Sequence, residues 1–290
     1  MKNASVLCLG SAGFHRVHYY DWGDPGNPRV LICVHGLTRT GRDFDYLAEA
    51  LQGNYRVVCP DVVGRGRSDW LAAKADYSYA QYAADLTTLI ARVTDGVERT
   101  IDWVGTSMGA LIGIILASRT GSPIRKLVLN DAGMLVPKAA LERLGRYVGR
   151  DLRFATFAEL EAHVRQVSAP FGPLTDEQWR HLTIHAAKQH PDGSWGMGYD
   201  PAIRTPFEGE IADVDLSPYW DAVRAGTLIV RGARSDVLLK ETALAMTTRG
   251  PSAKLVEIDG VGHAPMLMSA DQIDIVRTFL LDDVRVRPRA

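Results

Sequence analysis

The chain has 290 residues, 46% of them apolar, with 33 lysines and arginines against 34 aspartates and glutamates and a formal net charge of −1. That length suits one large core or a core carrying an insertion, and the cancelling charge, with no run of five like charges, gives no broad surface for nucleic acid or anionic membrane. No stretch of about 18 consecutive apolar residues could span a bilayer, and Cys8, Cys33 and Cys59 lack CxxC spacing, so they read as buried free thiols.

Along the chain, the apolar stretch Ala4 to Leu9 is cut short by Gly10, His15 and Arg16, which argues against a signal peptide and leaves cytoplasmic residence as the expectation. Phe14 to Asp21 reads as a leading hairpin strand. Val30 to Val34, Tyr55 to Cys59, Thr100 to Val104 and Lys126 to Leu129 follow as short apolar strands, each ending in turn chemistry. Leu47 to Leu51, Tyr79 to Val93 and Leu111 to Ser118 carry apolar residues at helical spacing between them. The late strands Thr227 to Val230 and Lys254 to Ile258 precede a closing helix, Gln272 to Leu281. Continuously apolar strands alternating with helices specify an α/β fold with a doubly wound, mostly parallel sheet covered on both faces. The alternation breaks between about Gly133 and Ala222, where Ala139 to Val148, Phe157 to Val167 and Thr175 to Ala187 read as helices and no strand is evident. The expected organisation is therefore a core of residues 1–132 and 223–290 with a helical cap inserted at 133–222.

The strand Thr100 to Val104 runs into Gly105-Thr106-Ser107-Met108-Gly109 and then a helix. This is the strand-turn-helix setting of a Gly-x-Ser-x-Gly elbow, in which a tight turn lifts the serine hydroxyl above the sheet. A serine hydroxyl needs a base, and the base needs a third group to fix its tautomer. His263, in Gly260-Val261-Gly262-His263-Ala264-Pro265 after the last strand, is the expected base. For the acid, Asp236 follows the strand Thr227 to Val230 and keeps the chain order Ser, Asp, His; Asp131, which ends another strand, is the rival. The oxyanion is expected to meet the backbone N–H of Met108, at the start of the helix after the elbow, and of Leu37, in the His35-Gly36-Leu37-Thr38 loop. His35 reads as a brace for that loop.

With these residues in place, the chain resembles the α/β-hydrolase superfamily over nearly its whole length. Four motifs match in order: His35-Gly36-Leu37, Asp61-Val62-Val63-Gly64-Arg65-Gly66-Arg67-Ser68, the elbow at Ser107, and Gly262-His263. In this resemblance the second motif is a structural loop, and neither Arg65 nor Arg67 is assigned a role. The resemblance implies a serine hydrolase that cleaves an ester or lactone; no metal or organic cofactor is expected, because no His, Cys or carboxylate cluster has ligand spacing and the elbow is not a phosphate-binding glycine loop. Ser107 stands where haloalkane dehalogenases and epoxide hydrolases carry Asp. Thr38-Arg39-Thr40-Gly41 stands where carbon–carbon hydrolases of ring-cleavage products show Gly-Pro-Gly, and Thr38 where cofactor-free perhydrolases carry Pro. A carbon–carbon hydrolase and a triad-bearing ligand receptor remain the alternatives. The cap is expected to line a pocket for a small ester-like substrate with an apolar group, through Trp179, Tyr199 and Phe207, together with Met266 beside His263. Oligomeric state is not legible.

Overall fold

A computed structural model of the chain describes residues 1–96 and 99–282. In chain order, the first half holds β1 (Lys2–Gly10), β2 (Gly13–Trp22), β3 (Val30–Val34), α1 (Asp45–Leu51), β4 (Arg56–Pro60), α2 (Tyr79–Val93), β5 (Ile101–Thr106), α3 (Met108–Ala117) and β6 (Ile124–Asn130). Between β6 and the next sheet strand come β7 (Leu135–Val136), α4 (Lys138–Gly145), α5 (Phe157–Val167), α6 (Asp176–Ala186), β8 (Ala187–Gln189), β9 (Trp195–Met197), β10 (Val214–Asp215) and α7 (Ser217–Ala222). The chain then returns through β11 (Gly226–Gly232), α8 (Lys240–Thr248), β12 (Lys254–Ile258) and α9 (Ala270–Leu281).

Eight strands form one sheet in the order β1-β2-β4-β3-β5-β6-β11-β12. β1 and β2 form an antiparallel hairpin and β2 pairs antiparallel with β4; every other pairing in the sheet is parallel. The central strands are buried on both faces, so their pleat sends alternate residues into two separate cores. From β3, Val30, Ile32 and Val34 pack with α2 and α3, while Leu31 and Cys33 pack with Leu47 and Leu51 of α1 and Val276 and Leu280 of α9. Each such side chain contributes about 1.5–3 kcal/mol of burial. α3 is apolar all round because the sheet, α2 and α7 enclose it.

The segment between β6 and β11 differs from the expectation in one respect. It is not wholly helical, because β7 pairs with β10 and β8 pairs with β9 as two small antiparallel sheets. Strands of two or three residues are too short to show alternation in the sequence, and the second pair is a hairpin closed by Pro191-Asp192-Gly193. The helices here are defined by local signals: Thr156 with Glu159, and Thr175 with Gln178, form capping boxes at the starts of α5 and α6. Val136, Val148, Tyr199, Ile203 and Trp220 join the same buried cluster as α2 and α3, so the segment is packed on the sheet domain. Among the described residues no helix is long and apolar enough to cross a membrane.

Candidate active site

The turn between β5 and α3 places Ser107 at φ 53° and ψ −115°, a conformation that costs a non-glycine residue about 1–3 kcal/mol. The two glycines beside it are required by contact. A Cβ on Gly105 would lie 2.2 Å from the Gly109 carbonyl oxygen, and one on Gly109 would lie 2.0 Å from that of Val34. The elbow therefore packs directly on itself and on β3, and Ser107 is left partly exposed at the turn's tip, in the wall of a cavity.

His263 sits on the loop after β12, and its Nε2 is 2.9 Å from Ser107 Oγ. The loop is fixed from three sides. Gly262 N–H donates to Pro170 O (2.7 Å), Arg234 N–H donates to Val261 O (2.8 Å), and Asn130 Nδ2 donates to Pro265 O (2.7 Å). The other ring nitrogen, Nδ1, is 2.8 Å from Asp131 Oδ2. A proton on Nδ1 shared with that carboxylate leaves Nε2 free to accept from the serine hydroxyl.

The acid is a correction to the sequence reading. Asp131, fully buried at the end of β6, is the carboxylate on His263, and Asp236 is not. Asp131 N–H donates to Val230 O, its Oδ1 accepts from Gly232 N–H at 2.8 Å, and its Oδ2 accepts from Ser235 Oγ at 2.6 Å. Ser235 Oγ is itself held by the N–H groups of Val237 and Leu238. Asp236, one residue on, has its side chain 50% exposed and takes a two-pronged ion pair from Arg143 of α4, at 2.5 and 3.0 Å. The loop after β11 thus supplies donors that hold the acid, and uses its own carboxylate to tie the inserted segment.

Above Ser107 runs the turn Gly36 to Arg39, closed by Arg39 N–H on Gly36 O (3.1 Å); a Cβ on Gly36 would sit 3.6 Å from Ser107 Cβ. His35 braces it, Nδ1 donating to Gly36 O (2.7 Å) and Nε2 accepting from Val62 N–H (2.9 Å). Burial lowers the His35 pKa to about 4, so the ring is neutral at pH 7 and makes both bonds in one tautomer. The N–H groups of Leu37 and Met108 meet no protein acceptor among the described residues. Two free donors beside a serine hydroxyl are what a developing oxyanion requires.

Two cavities meet at Ser107 and Leu37. One, of about 110 Å³, carries Arg39, Arg143, Arg150, His163, Tyr199 and Met266 in its wall. The other, of about 240 Å³, is apolar and lined by residues including Tyr79, Tyr82, Leu111, Leu141 and Phe207. The structure brings Tyr199, Met266 and Phe207 to these walls. Trp179 is not there: its ring packs with Leu182, Met266 and Met268 and lies parallel to Phe171, one layer behind the cavity. Sequence reasoning missed Ser235; the cap arginines Arg143, Arg146, Arg150 and Arg153 read as able to attract an acidic substrate or as solvated helix faces, and of these Arg143 and Arg150 line the first cavity. Arg39 is paired with Asp43 and Arg143 with Asp236, whereas Arg150 has no ion pair among the described residues. Two clusters of ligand-type side chains, Cys8-His15-Asp85 and Asp45-His181-His185, line neither cavity.

The model of the alpha/beta hydrolase family matches residues 31–274. The chain is 50% identical to the 3-hydroxybutyrate-oligomer hydrolase of Cupriavidus necator, over 94% of this chain and 96% of that protein. It is 29% identical to the N-formylmaleamate deformylase of Pseudomonas putida, over 87% and 88% of the two chains. Among solved structures it is similar to an alpha/beta hydrolase from Novosphingobium aromaticivorans, with a TM-score of 0.84 and 35% identity over 96% of this chain and 98% of that one.

Proposed function

The chain belongs to the alpha/beta hydrolase family and is an ester hydrolase, and on that premise we propose that it cleaves short oligomeric esters of 3-hydroxy acids through an acyl-enzyme on Ser107. The observation that carries the chemistry is the continuous relay from Ser107 Oγ through His263 to Asp131. Ser107 attacks the ester carbonyl while His263 Nε2 takes its proton, and Asp131 stabilises the imidazolium so formed. The carbonyl oxygen, now negative, is met by the N–H groups of Leu37 and Met108. His263 returns the proton to the leaving alkoxide, and a water activated by the same histidine then releases the acid and regenerates the serine.

Half identity over almost the full length of both chains is the support for the substrate class. An oligomer of 3-hydroxybutyrate presents small branched apolar units and ends in a free carboxylate. The apolar cavity suits the units, and Arg150 in the wall of the other suits the carboxylate. Residues 133–222 act as a cap on a core of 1–132 and 223–290, since α4 and the segment around Tyr199 and Phe207 complete both cavities. The three buried free thiols suit a reducing compartment, the cytoplasm.

The test is steady-state release of acid from 3-hydroxybutyrate dimer and trimer, beside p-nitrophenyl esters of graded acyl length, by the parent and by Ser107→Ala. Repeated turnover of the oligomers, abolished by the substitution, is the expected result. Cleavage of the neutral esters alone would remove the substrate assignment, and full activity in Ser107→Ala would remove the acyl-enzyme.

A further inference from the structure

Arg65 is fully buried in the Asp61 to Ser68 loop and has no carboxylate within ion-pair distance among the described residues. A guanidinium taken out of water without a counter-ion is costly, so its hydrogen bonds and ring contacts must offset a penalty of several kcal/mol. Those contacts are specific. Nε donates to the carbonyl of Leu37 (2.9 Å), Nη1 donates to Val63 O (2.7 Å) and Tyr82 Oη (3.0 Å), and Nη2 reaches Met108 Sδ (3.7 Å). The guanidinium carbon stands 4.9 Å from the centre of the Tyr82 ring and 5.8 Å from that of Tyr77.

Nε and Nη2, one edge of the planar guanidinium, thus reach the two residues whose N–H groups are assigned to the oxyanion. We infer that Arg65 is a positioning residue for the oxyanion hole: it fixes the spacing of the Leu37 and Met108 donors and places a fixed positive charge behind them. Nε–H on the Leu37 carbonyl anchors the backbone that carries the Leu37 N–H, and the guanidinium adds a fixed positive charge in the same shell. The backbone of the same loop is joined to the inserted segment, because Gly66 N–H donates to Gly198 O (3.2 Å) and Asp200 N–H donates to Gly64 O (2.8 Å). The oxyanion loop and the segment carrying Tyr199 therefore share one support. This inference rests on the oxyanion-hole assignment above and adds a residue to it.

Lysine keeps the charge but cannot span both partners, and methionine keeps the approximate volume with neither charge nor fork. Arg65→Met is expected to lower kcat roughly ten- to hundred-fold on p-nitrophenyl butyrate with KM within about two-fold, and Arg65→Lys to lower it several-fold. Binding of a trifluoromethyl ketone, which forms the tetrahedral adduct, should weaken in step with kcat, while inhibition by butyrate stays level. Arg67→Met, on the same loop but exposed, should behave as the parent. Far-UV circular dichroism reports folding; if Arg65→Met does not fold, Arg65→Lys carries the test. A folded variant with parent-like kcat, or one whose ketone and butyrate affinities fall together, would overturn the assignment. Because nucleophile trapping at Ser107 is a separate measurement, failure here leaves the acyl-enzyme reading standing.

Discussion

Asp131 Oδ2 lies 2.8 Å from His263 Nδ1, whereas Asp236, in the loop after the neighbouring strand β11, spends its carboxylate on Arg143. The two aspartates are thereby separated in role, and substitution separates them in effect. Asp131→Asn is expected to cut kcat about 10³- to 10⁴-fold, because an amide stabilises neither the tautomer nor the imidazolium. Asp236→Asn should stay within about five-fold of the parent. Steady-state rates of both variants on one p-nitrophenyl ester decide it, and a reversed order would return Asp236 to the relay.

Arg150, which has no ion pair among the described residues, stands in the wall of the 110 Å³ cavity. Arg150→Met is expected to raise KM for 3-hydroxybutyrate dimer about ten-fold, the usual scale of one charge-assisted hydrogen bond, and to leave p-nitrophenyl butyrate unchanged. Added salt should weaken dimer binding by the parent and not by the variant. Equal effects on charged and neutral esters would show that Arg150 shapes the cavity without reading charge.

The packing of the elbow predicts an intolerance that differs between neighbours. Gly109→Ala puts a methyl 2.0 Å from the Val34 carbonyl, and backbone on a central strand has nowhere to move. A loss above about 3 kcal/mol is expected. Gly36→Ala meets only ordinary contact at 3.6 Å from Ser107 Cβ, so urea midpoints should fall sharply for the first substitution and little for the second.

His35 makes stability depend on pH in a defined window. Its folded pKa is held at about 4 by burial, below the ordinary 6.5. As pH falls below 6.5 the unfolded chain takes up the proton while the buried ring does not, so stability drops until about pH 4 and then levels. The lowering is worth roughly 3 kcal/mol in total. His35→Gln, which keeps an acceptor and a donor without titrating, is expected to flatten that part of the urea-midpoint profile between pH 6.5 and 4.

Much of this site is legible in the sequence because its chemistry is local. The elbow glycines flank Ser107 within five residues, and the helix that follows is marked by its unbroken apolar run. The choice of acid is not local. Asp131 and Asp236 both follow strands, and what separates them is the crossing of Gly232 N–H and Ser235 Oγ from β11 to the end of β6. A clue was present in Ser235, whose hydroxyl sits one residue before the misassigned aspartate. Arg65 was illegible for the same reason, since its partners Leu37 and Met108 are 28 and 43 residues away. Trp179 reads as a pocket aromatic because it belongs to an aromatic-rich cap, and composition does not show whether a ring meets a cavity or packs on Met266 and Met268. The strands β7 to β10 escaped notice because they are too short to carry a period.

The central claim is that ester cleavage passes through an acyl group on Ser107, and peptide mass spectrometry of acid-quenched enzyme tests it most directly. After brief exposure to p-nitrophenyl butyrate in the presteady state, a butyryl adduct is expected on the peptide bearing Ser107 and not in Ser107→Ala. Rapid turnover with that peptide unmodified, or with the acyl group on another residue, would contradict it.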